Sequence, residues 1–198
     1  MFPTSIYAEL TPNPNTMKFV ADRMIFDSND PVEYKQASEA KGSSILASKL
    51  FEFPFVKGVF IARNFVTVAK TGDLSWDLIT FELREFITNF LAKNESAVES
   101  IPDIEITAEE VVAKNAEPVE PTEYDDAIKN LLDEYVKPAV ESDGGAIDFV
   151  SFKDGVVKVQ LRGSCSGCPS STVTLKDGIE TLLTTELPVV KSVEAESV

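Results

Sequence analysis

The sequence predicts an α+β protein built from two small domains, each with a β-sheet covered by helices. Strand patterns, in which side chains alternate in character, occur together with helical patterns in both halves of the 198-residue chain. Between the halves, residues 94–123 hold nine acidic residues, one basic residue and three prolines, and no aromatic residue. Such a segment buries too little apolar surface to offset its chain entropy. We therefore predict a domain at 1–93, an acidic linker at 94–121 and a domain at 122–198.

The first half predicts a small sheet with helical cover. Its longest helical pattern places Ile79, Leu83 and Ile87 on one face. The turn-forming run Thr11-Pro12-Asn13-Pro14-Asn15-Thr16 separates the first two strands. The predicted elements are strands at Ser5–Leu10 and Met17–Ala21, a helix near Ser44–Phe51, a hairpin of Val59–Ile61 and Phe65–Val68, and a helix from about Ser75 to Leu91.

The second half predicts elements in the order α-β-β-α-β. Thr122 is a suitable cap for the first helix, and Pro138 is expected to end it. The run Lys153-Asp154-Gly155 is typical of a hairpin turn. The predicted elements are the helix from Thr122 to Pro138, a turn at Asp143-Gly144-Gly145, strands at Ala146–Phe152 and Val156–Leu161, a helix from about Ser170 to Thr185, and a strand at Val189–Val193.

The net charge of −15 and the absence of histidine exclude several classes of function. Nucleic-acid binding depends on basic residues that neutralise phosphates, so we expect no nucleic-acid partner, and anionic membrane surfaces are disfavoured for the same reason. Histidine is the commonest general base, so most hydrolytic triads are excluded. No stretch approaches the roughly 20 apolar residues of a membrane span, and the N-terminus has no signal-peptide pattern. We expect a cytoplasmic protein.

The only two cysteines lie in Gly163-Ser164-Cys165-Ser166-Gly167-Cys168-Pro169, between a predicted strand and a predicted helix. Proline suits the first helical turn, so the positive end of the helix would face both sulfurs and favour their thiolate form. Gly163 and Gly167 expose backbone N–H groups and leave room for a cluster or a second chain to approach. The loop is therefore the candidate site for a metal or a redox reaction.

Iron–sulfur clusters are usually held by four thiolates, and this chain offers two. A two-fold dimer in which each subunit contributes Cys165 and Cys168 completes the set. A cluster shared across such an interface has no fully enclosing pocket, so it should be released readily.

Three other interpretations of the cysteine pair remain open at this point. A thioredoxin-like redox pair also sits between a strand and a helix, although about 75 residues are too few for that fold and the spacer Ser166-Gly167 is unusual for it. A zinc ion shared by two subunits would use the same four thiolates. The two cysteines could also be inert, or form an incidental disulfide.

The wider sequence resembles a known family in both halves. Similarity to the NifU C-terminal domain is carried by Glu141–Gly145, Phe149-Val150, Gly163–Ser171 and Thr174–Glu180. Similarity to the N-terminal domain of the Nfu-type scaffold proteins is carried by Thr11–Phe19, Leu50-Phe51, Gly58-Val59 and Phe65–Val68, followed by Trp76. Together the two matches cover nearly everything outside the linker.

The resemblance implies an iron–sulfur cluster scaffold or carrier, which is not an enzyme. In that family the cysteine pair binds a 4Fe–4S cluster bridged between two subunits and delivers it to apo-proteins. By position, Cys165 and Cys168 inherit the ligand role, the expected partners are client proteins and upstream assembly factors, and the loaded form is a homodimer. A 2Fe–2S cluster would also fit four thiolates. A thiol–disulfide oxidoreductase that uses the same pair is the alternative. Eukaryotic members carry a targeting presequence, and none is visible here.

Several further residues have both a structural and a functional interpretation. Three of them suit a turn but could also form a docking surface for clients or for an assembly factor: Asn13, Asn15 and Met17. Asp143 suits a turn next to two glycines rather than a metal site. Strand alternation places Arg162 in solvent, although its charge could offset that of a cluster. Trp76 is expected to cover the core.

Overall fold

The computed structural model describes residues 2–72, 74–100, 122–166 and 169–197. They form two domains of the α+β class, as predicted. The elements of the N-terminal domain are β1 (Ile6–Leu10), β2 (Thr16–Ala21), β3 (Val32–Tyr34), α1 (Ala37–Ala40), α2 (Ile45–Leu50), β4 (Val56–Ile61), β5 (Phe65–Lys70) and α3 (Trp76–Leu91).

The five strands of the N-terminal domain form one antiparallel sheet in the order β1-β2-β5-β4-β3. The predicted strands β1, β2, β4 and β5 and the helices α2 and α3 are confirmed. Ser44 caps α2 by accepting a hydrogen bond from the Ala47 N–H, which fixes the start of that helix. Two elements, β3 and α1, were not predicted, because three and four residues are too few to show a period.

One side of this sheet, which we call the helix face, carries the main core of the domain. Its strands contribute apolar side chains at every second position, and α3 covers them with Leu83, Ile87 and Leu91, all fully buried. The strand residues on the helix face include Met17, Phe19, Val59, Ile61, Val66 and Val68.

The opposite side, which we call the outer face, carries the alternate residues of the same strands: Lys18, Glu33, Phe60, Phe65 and Thr67. The register confirms that they share a face, because Thr67 pairs with both Lys18 and Phe60, and Glu33 pairs with Phe60. Phe60, Phe65, Lys18 and Thr67 are all buried. They are buried because the C-terminal domain packs against them.

Residues 94–100 also contact the N-terminal domain. Ala97 and Val98 are buried in its core, and the Ala97 N–H donates to the Ile25 carbonyl. The Glu99 N–H donates to the Ser43 carbonyl. The rest of the predicted linker, residues 101–121, lies outside the described residues, so the linker boundaries stay a prediction.

The C-terminal domain has the predicted order of helices and strands. Its elements are α4 (Asp125–Leu131), a π-helical turn (Leu132–Val136), α5 (Lys137–Ser142), β6 (Gly145–Lys153), β7 (Val156–Gly163), α6 (Pro169–Glu186) and β8 (Ser192–Ser197). β6 and β7 are antiparallel, and β8 adds to β7 in parallel. Asp154 and Gly155 both have positive φ, 56° and 91°, so the predicted hairpin turn is confirmed.

Two details of this domain differ from prediction. Pro138 does not end the first helix, which continues through the π-helical turn and α5 to Ser142. Proline lacks an N–H, and in an α-helix its ring clashes with the carbonyl four residues back. The wider π-helical turn lies just before Pro138 and lets the chain continue past it. The last strand begins at Ser192 rather than Val189, because the Val190 N–H donates to the Leu187 carbonyl in a turn. Within the described part of the chain, no helix combines the length and the apolar character needed to cross a membrane.

Candidate functional site

The cysteine loop connects the end of β7 to the start of α6. β7 ends at Gly163, a turn covers Ser164–Ser166, and α6 begins at Pro169, so a helix N-terminus follows the loop as predicted. Cys165 is buried, with 6% of its surface exposed, and belongs to the core of the C-terminal domain. Cys168, the other predicted ligand, lies outside the described residues.

The loop is held in place by the turn that precedes β6. The Ser164 N–H donates to the Gly144 carbonyl at 3.3 Å, and the Ser164 hydroxyl donates to the Asp143 carbonyl. The Ser166 N–H and hydroxyl both donate to the Gly163 carbonyl, each at 3.1 Å. Asp143 therefore acts through its backbone carbonyl, which agrees with the structural interpretation of this residue.

Gly145 is the residue that makes room for the Cys165 sulfur. A Cβ atom at position 145 would lie 2.9 Å from Cys165 Sγ and 2.6 Å from the Arg162 carbonyl oxygen. Any side chain there would displace the thiol or the strand end. Sequence patterns predicted only a turn role for Gly145, because the contact joins residues 20 positions apart.

An open groove of about 610 Å³ begins beside Cys165 and runs between the two long helical segments of the C-terminal domain. Its walls are mostly apolar. They include Val136, Ala139, Leu175, Ile179 and Leu182, and Pro12 of the N-terminal domain borders the same space. Among the described residues, no group of three or more possible metal ligands lies together.

Asn13 connects the N-terminal domain to the cysteine loop. Its side-chain oxygen accepts from the Asn15 N–H, which shapes the predicted turn. Its side-chain N–H group donates to the carbonyls of Ser164 at 3.1 Å and Ser166 at 3.4 Å, one on each side of Cys165. Asn13 thus serves both the turn and a contact with the loop, although the surface that it contacts belongs to its own chain.

Arg162 lies at the boundary between the domains, so the prediction that it faces solvent is wrong. One guanidinium nitrogen donates to the Pro31 carbonyl at 2.9 Å, and another lies 2.5 Å from the Asp148 carboxylate. Strand alternation did place Arg162 away from the core of its own domain. It could not show that a second domain covers that side.

Glu33 faces the same boundary from the other domain and accepts a hydrogen bond from the Gly163 N–H at 3.2 Å. Burial raises the pKa of Glu33 above its ordinary value of 4.5, while the Gly163 N–H and the charges of Lys35 and Arg162 partly oppose that rise. Trp76 donates to the Pro14 carbonyl and packs against the core, as expected.

Comparison with known proteins matches both domains to one family. Residues 6–94 match the family described as "Scaffold protein Nfu/NifU N terminal", and residues 128–194 match "NifU-like domain". Proteins of Drosophila erecta and Homo sapiens, both named "NFU1 iron-sulfur cluster scaffold homolog, mitochondrial", are 37% and 34% identical to this chain over 190 residues. These alignments cover 96% of this chain, 64% of the Drosophila protein and 70% of the human protein.

The chain therefore spans less than two thirds of the length of its Drosophila relatives. A solved structure of a NifU-like protein from Saccharomyces cerevisiae is 26% identical, with a TM-score of 0.45, and the match covers 50% of this chain and 87% of that chain.

The fold and the loop define a two-domain protein with its cysteine pair in the C-terminal domain, at the junction of a strand and a helix. This chain belongs to the Nfu/NifU family of iron–sulfur cluster scaffold proteins.

Proposed function

We propose that this protein carries an iron–sulfur cluster as cargo and transfers it to apo-proteins. The observation that supports the proposal most directly is the position of Cys165, at a strand end ahead of the N-terminus of α6, in a chain of the scaffold family. Thiolates are the protein ligands of these clusters, and a helix N-terminus stabilises their negative charge. The protein's role is to hold and pass on the cluster rather than to catalyse a reaction.

The cluster is a 4Fe–4S cluster shared by two subunits. Each chain has two cysteines and no histidine, so one chain cannot supply four thiolates. In a two-fold homodimer Cys165 and Cys168 of both subunits complete the coordination. A 2Fe–2S cluster needs the same number of thiolates and is the alternative cargo.

The partners are upstream assembly factors that deliver the cluster and client proteins that receive it. The open groove is lined in part by Ser164 and Cys165 of the loop, so it offers apolar surface close to the cargo. The curated relatives are named as mitochondrial proteins, so the cytoplasmic location expected from the sequence stays a prediction.

Anaerobic reconstitution of the full chain with ferrous iron and sulfide tests the proposal. We expect a coloured dimer, measured by absorbance and light scattering, that holds about four iron atoms. About two iron atoms per dimer would assign a 2Fe–2S cluster instead. Cys165→Ala and Cys168→Ala should each abolish uptake.

Ser166→Ala is the matched control, because it changes the residue between the cysteines without removing a thiolate, and it should retain uptake. A wild-type protein that stays colourless and monomeric would refute the proposal. If that colourless protein also cycled a Cys165–Cys168 disulfide catalytically, the oxidoreductase alternative would replace it.

A further inference from the structure

The N-terminal domain donates four hydrogen bonds to the cysteine loop and to the turn that holds it, two from Asn13 in the β1–β2 turn and one each from Lys18 and Thr67, which pair on the outer face. Asn13 binds the two loop carbonyls of Ser164 and Ser166, and the Thr67 hydroxyl donates to the Gly144 carbonyl at 2.8 Å. Lys18 Nζ donates to the Ser142 carbonyl at 3.0 Å. The four acceptors are backbone carbonyls of the loop or of the turn that holds it. These bonds therefore depend on the backbone conformation of the site and not on its side chains.

Apolar contact accompanies these bonds. Phe60 and Phe65 stack at 6.0 Å between ring centroids and form a small buried cluster with Ala146 at the start of β6. Phe60 is 2% exposed although it lies on the side of the sheet that α3 does not cover. Tyr7, on the edge strand β1, is 60% exposed, so the C-terminal domain covers only part of the sheet.

Two glycines of the C-terminal domain allow this close approach. A Cβ atom at Gly144 would lie 2.9 Å from Thr67 Oγ1, and one at Gly163 would lie 3.1 Å from Phe60 Cγ. Both glycines have positive φ, 83° and 68°. Beside Gly163, where the sequence left room for a cluster or a second chain, the nearest atoms are those of Gly144 and Gly145 of the same domain and of Phe60 from the N-terminal domain.

Two buried polar atoms of the described interface residues have no hydrogen-bond partner, which lowers the stability of the docked form. Within the described residues, Glu33 Oε2 and Arg162 Nε are buried without a hydrogen-bond partner. Each unpaired buried polar atom opposes docking, because water would satisfy it in the undocked state. Interfaces between domains of one chain that are mixed in polarity in this way commonly open and close.

Docking and cluster sharing compete for the same loop. Four thiolates around one cluster bring two cysteine loops to a common centre. In the docked form Asn13 lies against the loop on both sides of Cys165, and Pro12 borders the space beside its sulfur. A second subunit cannot occupy the positions of these residues.

We propose that the outer face of the N-terminal sheet is a docking surface for the cysteine loop of its own C-terminal domain, and that undocking precedes the pairing of two loops. The second part of this statement rests on the proposed function. The N-terminal domain then acts as a cover that keeps the apo chain closed and monomeric, and it is displaced when two subunits share a cluster.

Amide hydrogen exchange of the reduced, metal-free full chain tests the docking without any cluster. The Gly163 N–H is the reporter, because its acceptor is Glu33 of the other domain. Thr67→Lys places a long charged side chain against Gly144 and should speed Gly163 exchange by about tenfold or more. Tyr7→Lys makes the same kind of change on the uncovered part of the same sheet face and should leave the exchange unchanged.

The buried amides of Leu83 and Val159 report whether each domain stays folded. If Thr67→Lys also speeds exchange at Leu83, Glu33→Ala on the edge strand β3 decides, because it removes the acceptor and leaves the core intact. Unchanged Gly163 exchange in the deciding variant would overturn the docking.

The competition is tested on the loaded protein. Wild-type Gly163 should lose its protection on anaerobic reconstitution, and Thr67→Lys should form the coloured dimer several-fold faster than Tyr7→Lys. If the two variants form the dimer at equal rates while hydrogen exchange shows docking in the apo chain, the competition is overturned and the docking still stands. A chain that takes up no cluster at all would defeat the proposed function, and the apo exchange result would still stand.

Discussion

The two faces of the N-terminal sheet differ in what covers them and in the side chains that they present. The helix face is apolar and is covered by α2 and α3, which belong to the same domain. The outer face mixes Phe60 and Phe65 with Lys18, Thr67 and Glu33, and it is covered by another domain. A purely apolar face cannot be left in water, whereas a mixed face can be covered or exposed at modest cost. The comparison separates a permanent core from a contact that can open.

The largest expected effect is on the helix face. Leu83→Ala removes a fully buried side chain from the core, and large-to-small changes of this kind cost about 2–5 kcal/mol. We expect the free energy of unfolding of the N-terminal domain, measured by chemical denaturation, to fall by that amount. A cost below about 1 kcal/mol would mean that this face is not the permanent core.

A smaller effect is expected on the outer face. Phe60→Ala removes contacts with Ala146 and Gly163, which exist only in the docked state, and the stacking on Phe65 within the same sheet, so it takes less from the fold than a core truncation does. We expect the unfolding free energy to fall by less than half of the Leu83→Ala value, while Gly163 exchange becomes faster. Tyr7→Ala is the control, and it should change stability by no more than about 0.5 kcal/mol because Tyr7 is already exposed.

If Phe60→Ala were as costly as Leu83→Ala and both domains unfolded together, the two faces would be one core and the distinction between them would fail.

The smallest effect is a pH dependence of docking that comes from Glu33. Burial raises the pKa of Glu33 in the docked form, while Lys35 and Arg162 lower it and Glu39 raises it. The docked form therefore binds a proton more readily than the open form. Docking should be strongest below pH 4.5 and should weaken as the pH rises through the raised pKa.

The protection factor of the Gly163 amide measures this dependence, since it corrects for the intrinsic effect of pH on exchange. Glu33→Gln is neutral at every pH and retains an acceptor for the Gly163 N–H. In this variant the Gly163 protection factor should be independent of pH and equal to the value that the wild type reaches at low pH. A wild-type profile that rises with pH, or a Glu33→Gln profile of the same shape as wild type, would contradict the role of this carboxyl group.

Local patterns predicted most elements, and the failures have local causes. The spacing of Ile79, Leu83 and Ile87 was enough to predict α3, and Asp154-Gly155 was enough to predict the hairpin of β6 and β7. β3 was too short to show alternation. Pro138 was expected to stop a helix, but a π-helical turn lets the chain continue past it.

Local patterns also predicted part of the candidate site. Cys165 and the helix that follows were readable from adjacent residues, because a cysteine loop ahead of a proline is a local signal. The role of Gly145 beside the sulfur was not readable, since it depends on a contact across the sheet. The burial of Arg162 was missed because alternation tells which side of a strand a residue is on, but not what covers that side.

The sequence by itself determined the α+β class, the order α-β-β-α-β, the turn at Asn13 and the cysteine loop, because each depends on residues close together in the chain. Only the tertiary structure decided that Asn13 reaches Ser164 and Ser166, about 150 positions away, and that Glu33 meets Gly163. Those contacts depend on how two separately patterned domains dock, and a mixed polar and apolar face has the same alternation whether it meets water or another domain.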